Sequence, residues 1–195
     1  MNRIFACLLL LPVCLHADEF DPKDNTVVPG TRVGLIKPGM TLKDIGRAYG
    51  QQNLKFQKIP GADGEEVDGA RLFPDTDREL LITWDPEKEK AQIVFDISIV
   101  GKAWKFDNGL RVGMTVEEVE KVNGKAFKIS GFGWDYGGYA NFEGGKLYGK
   151  VSVRFTPQME NLPDQICGER EIPSTDKVLR SVKPVVEAGI SVFMR

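Results

Sequence analysis

What constrains this chain most is that part of it occurs twice. Ile36, Lys37, Pro38, Gly39, Met40, Thr41, Leu42, Lys43, Asp44 and Ile45 align with Leu110, Arg111, Val112, Gly113, Met114, Thr115, Val116, Glu117, Glu118 and Val119 at a fixed offset of 74 positions. The match runs on through Arg47 and Lys121 to Gly50 and Gly124. Each copy carries the punctuation of a short helix. Thr41 and Thr115 are placed as N-caps, and Asp44 and Glu118, three residues on, can close a capping box or favour the helix's positive end. Leu42, Ile45 and Tyr49, like Val116, Val119 and Val122, recur at helical spacing, and Gly50 and Gly124 stand where a helix end wants a left-handed residue. Helices of about two turns are unstable alone, so their apolar stripes must pack on something. Gly39, Met40, Thr41 and Gly113, Met114, Thr115 are therefore read as structural: glycine for the backbone, methionine for the core, threonine for the cap.

Strands follow each helix in this reading. After the first come residues 54–59, 78–84 and 91–100, with turns at Ala62, Asp63, Gly64 and at Asp85, Pro86, Glu87. After the second come 125–129, 139–143 and 146–155, the last two joined by Gly144 and Gly145 as a tight hairpin. The tail adds a short helix over 175–182, stopped before Pro184, and a strand over 189–194. Helices segregated from runs of antiparallel strands predict an α+β fold of two tandem repeats, 33–106 and 107–195, each a short helix or helix pair packed on an antiparallel sheet.

Residues 1–17 read as a cleavable signal peptide: Arg3 at the start, an apolar run over 4–15, and Ala17 at the cut. The run falls well short of the roughly 20 residues a spanning helix needs. No later stretch is apolar enough to span either. Lipid attachment at Cys14 or Cys7 is the competing reading. Pro12 and Val13 suit the first poorly, and Cys7 comes very early. Residues 18–32, with Pro22, Pro29 and Gly30 and no apolar periodicity, read as a flexible leader. A periplasmic or secreted location follows.

Cleavage would take Arg3 and no acid, leaving a mature charge of about −3. That gives no basic field for nucleic acid, and partners of another kind are expected: a protein of the cell envelope or a neutral glycan. Cleavage would also remove His16, the only histidine, with Cys7 and Cys14. Nucleophile systems built on an imidazole base and zinc sites of histidine and cysteine then have no ligands to draw on. An internal disulfide is excluded too, since Cys167 stands alone, either buried and inert or exposed and able to pair between chains. No cofactor and no metal is expected.

The boxed helix followed by a glycine and a strand meander, present in tandem, resembles the small helix-plus-sheet domains of the beta-lactamase inhibitor protein and of the SmpA/OmlA (BamE-type) outer-membrane assembly lipoproteins. The second half, with Asn123, Gly124, Lys125 and the run from Gly131 to Gly138, also resembles a group of uncharacterised exported bacterial proteins. The resemblance implies a non-enzymatic binding or assembly module that engages a protein with the open face of a sheet. It carries over no contact residues, because the match lies in the folding motif.

Two constellations bear on a site. Acids cluster at Asp63, Glu65, Glu66 and Asp68, and at Asp75, Asp77 and Glu79; neither has calcium-loop spacing, and solvated turns account for them. Paired carboxylates could also serve as acid and base in glycoside cleavage, the enzymatic alternative. Phe132, Trp134, Asp135, Tyr136 and Tyr139 form the densest aromatic segment, interleaved with glycines. Rings beside an acid suit a sugar or a partner's side chains. Rings packed in the core, with glycines making bends, is the other reading.

Overall fold

The computed structural model describes residues 21, 23–60, 65–85, 87 and 90–194, with the backbone alone at 187–189. Residues 1–17, expected as a signal peptide, lie outside the described residues. The fold is α+β. Its centre is an antiparallel six-stranded sheet in the order β10-β12-β6-β5-β4-β3, formed by β3 (Leu54–Pro60), β4 (Glu66–Leu72), β5 (Leu80–Trp84), β6 (Val94–Ile99), β10 (Ser152–Thr156) and β12 (Val185–Phe193). Two three-stranded sheets flank it. One joins β1 (Thr26–Val28), β2 (Arg32–Val33) and β7 (Lys105–Phe106); the other joins β8 (Lys128–Ser130), β9 (Ala140–Asn141) and β11 (Glu171–Pro173).

Pairing register explains why the large sheet has one apolar face. Residues directly opposite on neighbouring strands share a face. One row runs Leu54, Leu72, Leu80, Ile99, Ile190, Val153 across all six strands, every member buried. These residues form one contiguous core with Leu42, Ile45 and Tyr49 of α1 (Leu42–Tyr49), Val116 and Val119 of α2 (Val116–Asn123), and Leu179 of α3 (Lys177–Ser181). Among the described residues no helix is long and apolar enough to cross a membrane.

Both helices of the duplicated motif begin as the sequence predicts. Thr41 Oγ1 accepts from the Asp44 N–H at 3.2 Å while Asp44 Oδ2 accepts from the Thr41 N–H at 3.0 Å. Thr115 and Glu118 repeat the exchange at 3.3 and 2.9 Å. Gly39 and Gly113 have φ of +83° and +89°, with open space around them, so it is the backbone conformation that calls for glycine there. Met114 is buried and Met40 half-buried against the core. Each box also meets a strand in the same way: Met40 O accepts from Val94 N at the start of β6, and Met114 O from Val186 N on β12.

Several expectations need correction. The segment expected to be a flexible leader contains β1, which pairs in parallel with β7 and buries Val27 completely. The two halves do not form separate sheets, because β12 of the second pairs with β6 of the first, and all six strands make one sheet. Gly144 and Gly145 do not join a hairpin. Buried Asn123 captures that segment instead: its backbone oxygen accepts from Lys146 N, and its Oδ1 from Leu147 N at 3.1 Å. The strand expected from 146 begins only at Ser152.

Candidate functional site

The aromatic segment does not form one site. It fills the loop between β8 and β9 and divides among three environments. Phe132, read as a binding residue, is a core residue only 4% exposed, held by Phe132 N to Ile166 O and Gly168 N to Phe132 O, both 2.8 Å. Trp134 is half-buried, its indole Nε1 donating to Gly131 O at 2.7 Å, and its ring meets Tyr136 edge-on at 5.4 Å. Asp135 is exposed and Tyr136 is 46% exposed. Trp134 and Asp135 line a shallow depression of about 480 Å³ with Arg154. At Gly138 a Cβ would run into the Phe155 carbonyl oxygen, so this glycine serves a close backbone approach to β10, with Phe155 N donating to Gly138 O at 2.8 Å. Tyr139 stands apart from its neighbours. It is 39% exposed, Arg154 lies over its ring at 5.2 Å, and it borders a different cavity.

That cavity is a groove of about 730 Å³ to which every strand of the six-stranded sheet contributes. Its floor follows from register. The row next to the buried apolar one reads Arg71, Leu81, Ser98, Ser191, Ser152, and two positions on, on the same face, comes Gly69, Thr83, Asp96, Phe193. These rows lie on the face turned away from the core, and five of their members (Thr83, Asp96, Ser98, Ser152 and Ser191) make a polar floor. A bulge at Thr83 and Trp84 leaves Phe95 without an opposite residue. Bulges turn a side chain from its alternating position, and Phe95 accordingly lines the groove beside Asp96, its ring edge-on to Phe193 at 6.3 Å.

Asp96 is the chemically distinctive member. Burial pushes its carboxyl up to about 6, against the pull of the Ser191 and Ser98 hydroxyls and the Ile97 N–H. None of those causes is a charge. Ser98 Oγ lies 3.5 Å from Asp96 Oδ2 and 3.0 Å from Ser191 Oγ. Among the described residues Asp96 Oδ1 is buried with no hydrogen-bond partner. The other charged residues lining the groove, Lys58 and Asp68, pair with each other at 2.8 Å.

Of the residues singled out in the sequence, Tyr139 and Asp68 line this groove. A signal for the rest was present: Asp96 and Ser98 alternate with Ile97 and Ile99, which puts an acid and a hydroxyl on one face of an otherwise apolar strand. Of the acids read as solvated, Asp75 is 83% exposed, whereas the Glu79 side chain is only 12% exposed; both pair with Arg71, each at 2.7 Å. Cys167 is half-buried, its thiol donating to Pro163 O at 3.5 Å. No group of three or more histidine, cysteine, aspartate or glutamate residues placed to hold a metal ion occurs among the described residues.

No family model and no curated protein matches the chain. Among solved structures it is similar to the crystal structure of the uncharacterized protein yfeY from Escherichia coli, at 13% identity and a TM-score of 0.44, over 86% of this chain and 99% of that one. A likeness that distant carries neither fold nor function across.

Proposed function

We propose that this chain is an exported, non-enzymatic binding module of the cell envelope that engages a protein partner with the open face of its six-stranded sheet. One observation carries the reading: the groove on the open face of the sheet is lined by Trp84, Phe95, Tyr139 and Phe193 together with Asp96, whose carboxyl is partly buried. Concave sites with aromatic walls and a few fixed polar groups are where proteins hold ligands and partner side chains. A neutral glycan on the 131–139 loop is the second reading, and against it Phe132 lies in the core and Tyr139 borders a different cavity, so the five residues of that segment do not form one platform.

Photo-crosslinking in the native host tests this. A benzophenone amino acid at Phe193, in the groove, is expected to give a defined adduct in the envelope fraction. The same group at Tyr148, exposed and outside the groove, should give none. Adducts at Tyr148 alone would overturn the sheet-face reading, and recovery of the protein from the cytoplasm would overturn export.

A further inference from the structure

We propose that the free edge of the six-stranded sheet pairs with the same edge of a second copy, β3 antiparallel to β3, about a two-fold axis at Gln57. The two outer strands of the sheet differ. β10 is covered, since Phe155 N donates to Gly138 O at 2.8 Å and Tyr139 bridges Arg154. Along its outer side β3 has no paired strand among the described residues. Phe73 N donates to Asn53 O, so antiparallel alternation turns the N–H and C=O of Lys55, Gln57 and Ile59 toward β4 and those of Phe56 and Lys58 outward. Both outward residues are exposed, Phe56 at 55%. The Lys58 carbonyl accepts from the Gln57 side-chain amide at 3.4 Å, a long bond that a backbone donor would replace.

The sequence of β3 selects one register. Centring the axis on Lys55 or Lys58 sets that lysine opposite its own copy, which like charges disfavour. Centring it on Phe56 brings Lys58 to Leu54, which is buried and whose N–H already donates to Gln51 O. Pro60, without an N–H, ends the edge at the other side. Centring it on Gln57 lets Phe56 and Lys58 exchange both backbone bonds with Lys58 and Phe56 of the second copy, all of them exposed. Lys55 then lies opposite Ile59, and the two Gln57 amides face each other across the axis.

The same register continues the packing. Phe56 ends a row of the inner face whose other members, Ala70, Ile82, Ile97 and Val192, are fully buried. Phe56 of the second copy comes opposite Lys58, which with Asp68 and Trp84 borders a hollow of about 690 Å³. The incoming ring lies at the rim of that hollow, on the stem of Lys58. Lysines and proline often keep sheet edges apart. Here Lys58 is paired with Asp68 at 2.8 Å, Lys55 meets no like charge, and Pro60 lies outside the exchanged bonds. The arrangement is isologous, each copy giving and receiving the same contacts.

Sedimentation equilibrium of the full chain should give a mass that climbs with loading concentration from one copy to two. Phe56→Asp should hold the mass at one copy over the same range, with a urea midpoint equal to that of the monomeric parent. Gln57 on the axis forms a pair without backbone bonds, whose Cα atoms lie about 4.5 Å apart, within disulfide reach. Gln57→Cys should therefore form an interchain disulfide under mild oxidation. The parent, with Cys167 half-buried, should give none, and Lys55→Cys, opposite Ile59, far less than Gln57→Cys. A single copy at every concentration would overturn the proposal. So would a two-copy mass that survives Phe56→Asp, or a disulfide at Lys55→Cys as ready as that at Gln57→Cys. Phe193 lies on β12, away from this edge, so its crosslink tests the sheet-face reading separately.

Discussion

Asp96 links stability to the candidate site at the scale of a single residue. Its carboxyl titrates near 6 in the folded chain against an ordinary 3.8, so between those values the folded state holds a proton that the unfolded state has released. Stability therefore falls as pH rises through that window. A shift of this size corresponds to a loss of about 2–3 kcal/mol by pH 7. Asp96→Asn keeps the shape and removes the titration. Urea unfolding of parent and variant from pH 4 to pH 8 should show the variant gaining on the parent across the window, levelling off above it. A difference that stays constant with pH would mean that Asp96 is solvated in the folded protein.

At the scale of elements, the two capped helices show what was legible in the sequence and why. A capping box is set by residues three apart, so Thr41 with Asp44 and Thr115 with Glu118 announce their own geometry. Thr41→Ala and Thr115→Ala should each cost about 1 kcal/mol in denaturant melts. Two silent substitutions would show that packing on the sheet alone holds the helices. Strand β3 was legible to within a residue because its length and bounding turns are local. Strand β4 was not: Glu66, Asp68 and Gly69 interrupt its apolar pattern, and β3 and β5 on either side hold it in the sheet. The aromatic loop misled for a related reason. Ring density is visible in sequence, but whether Phe132 turns inward depends on the backbone of residues 166–168, far along the chain. The groove was hidden more completely, since each strand supplies only one to three of its residues and only pairing register brings Asp96, Ser98 and Ser191 together.

At the scale of the whole molecule, the seam between β6 and β12 decides how the halves depend on each other. Ile99 faces Ile190 and Ile97 faces Val192, so the apolar rows run from one half into the other without a break. The strand that each half brings to the seam is also the one its Gly-Met-Thr box touches, through Val94 N to Met40 O and Val186 N to Met114 O. The strands at the seam thus tie both boxed helices to one core. Separating the halves would expose the paired edges of β6 and β12 together with the apolar residues on their inner face. Such an edge favours aggregation over independent folding. The intact chain should therefore unfold in a single cooperative step. The tryptophans allow a direct check, because Trp84 and Trp104 lie in the first half and Trp134 in the second. In a Trp134→Phe variant fluorescence reports only the first half, and in a Trp84→Phe, Trp104→Phe variant only the second, while far-ultraviolet circular dichroism reports the whole sheet in each. Within either variant, the fluorescence and dichroism midpoints in urea should coincide. A fluorescence midpoint displaced from that of the sheet, in opposite directions for the two variants, would show two halves that melt independently and merely lie side by side.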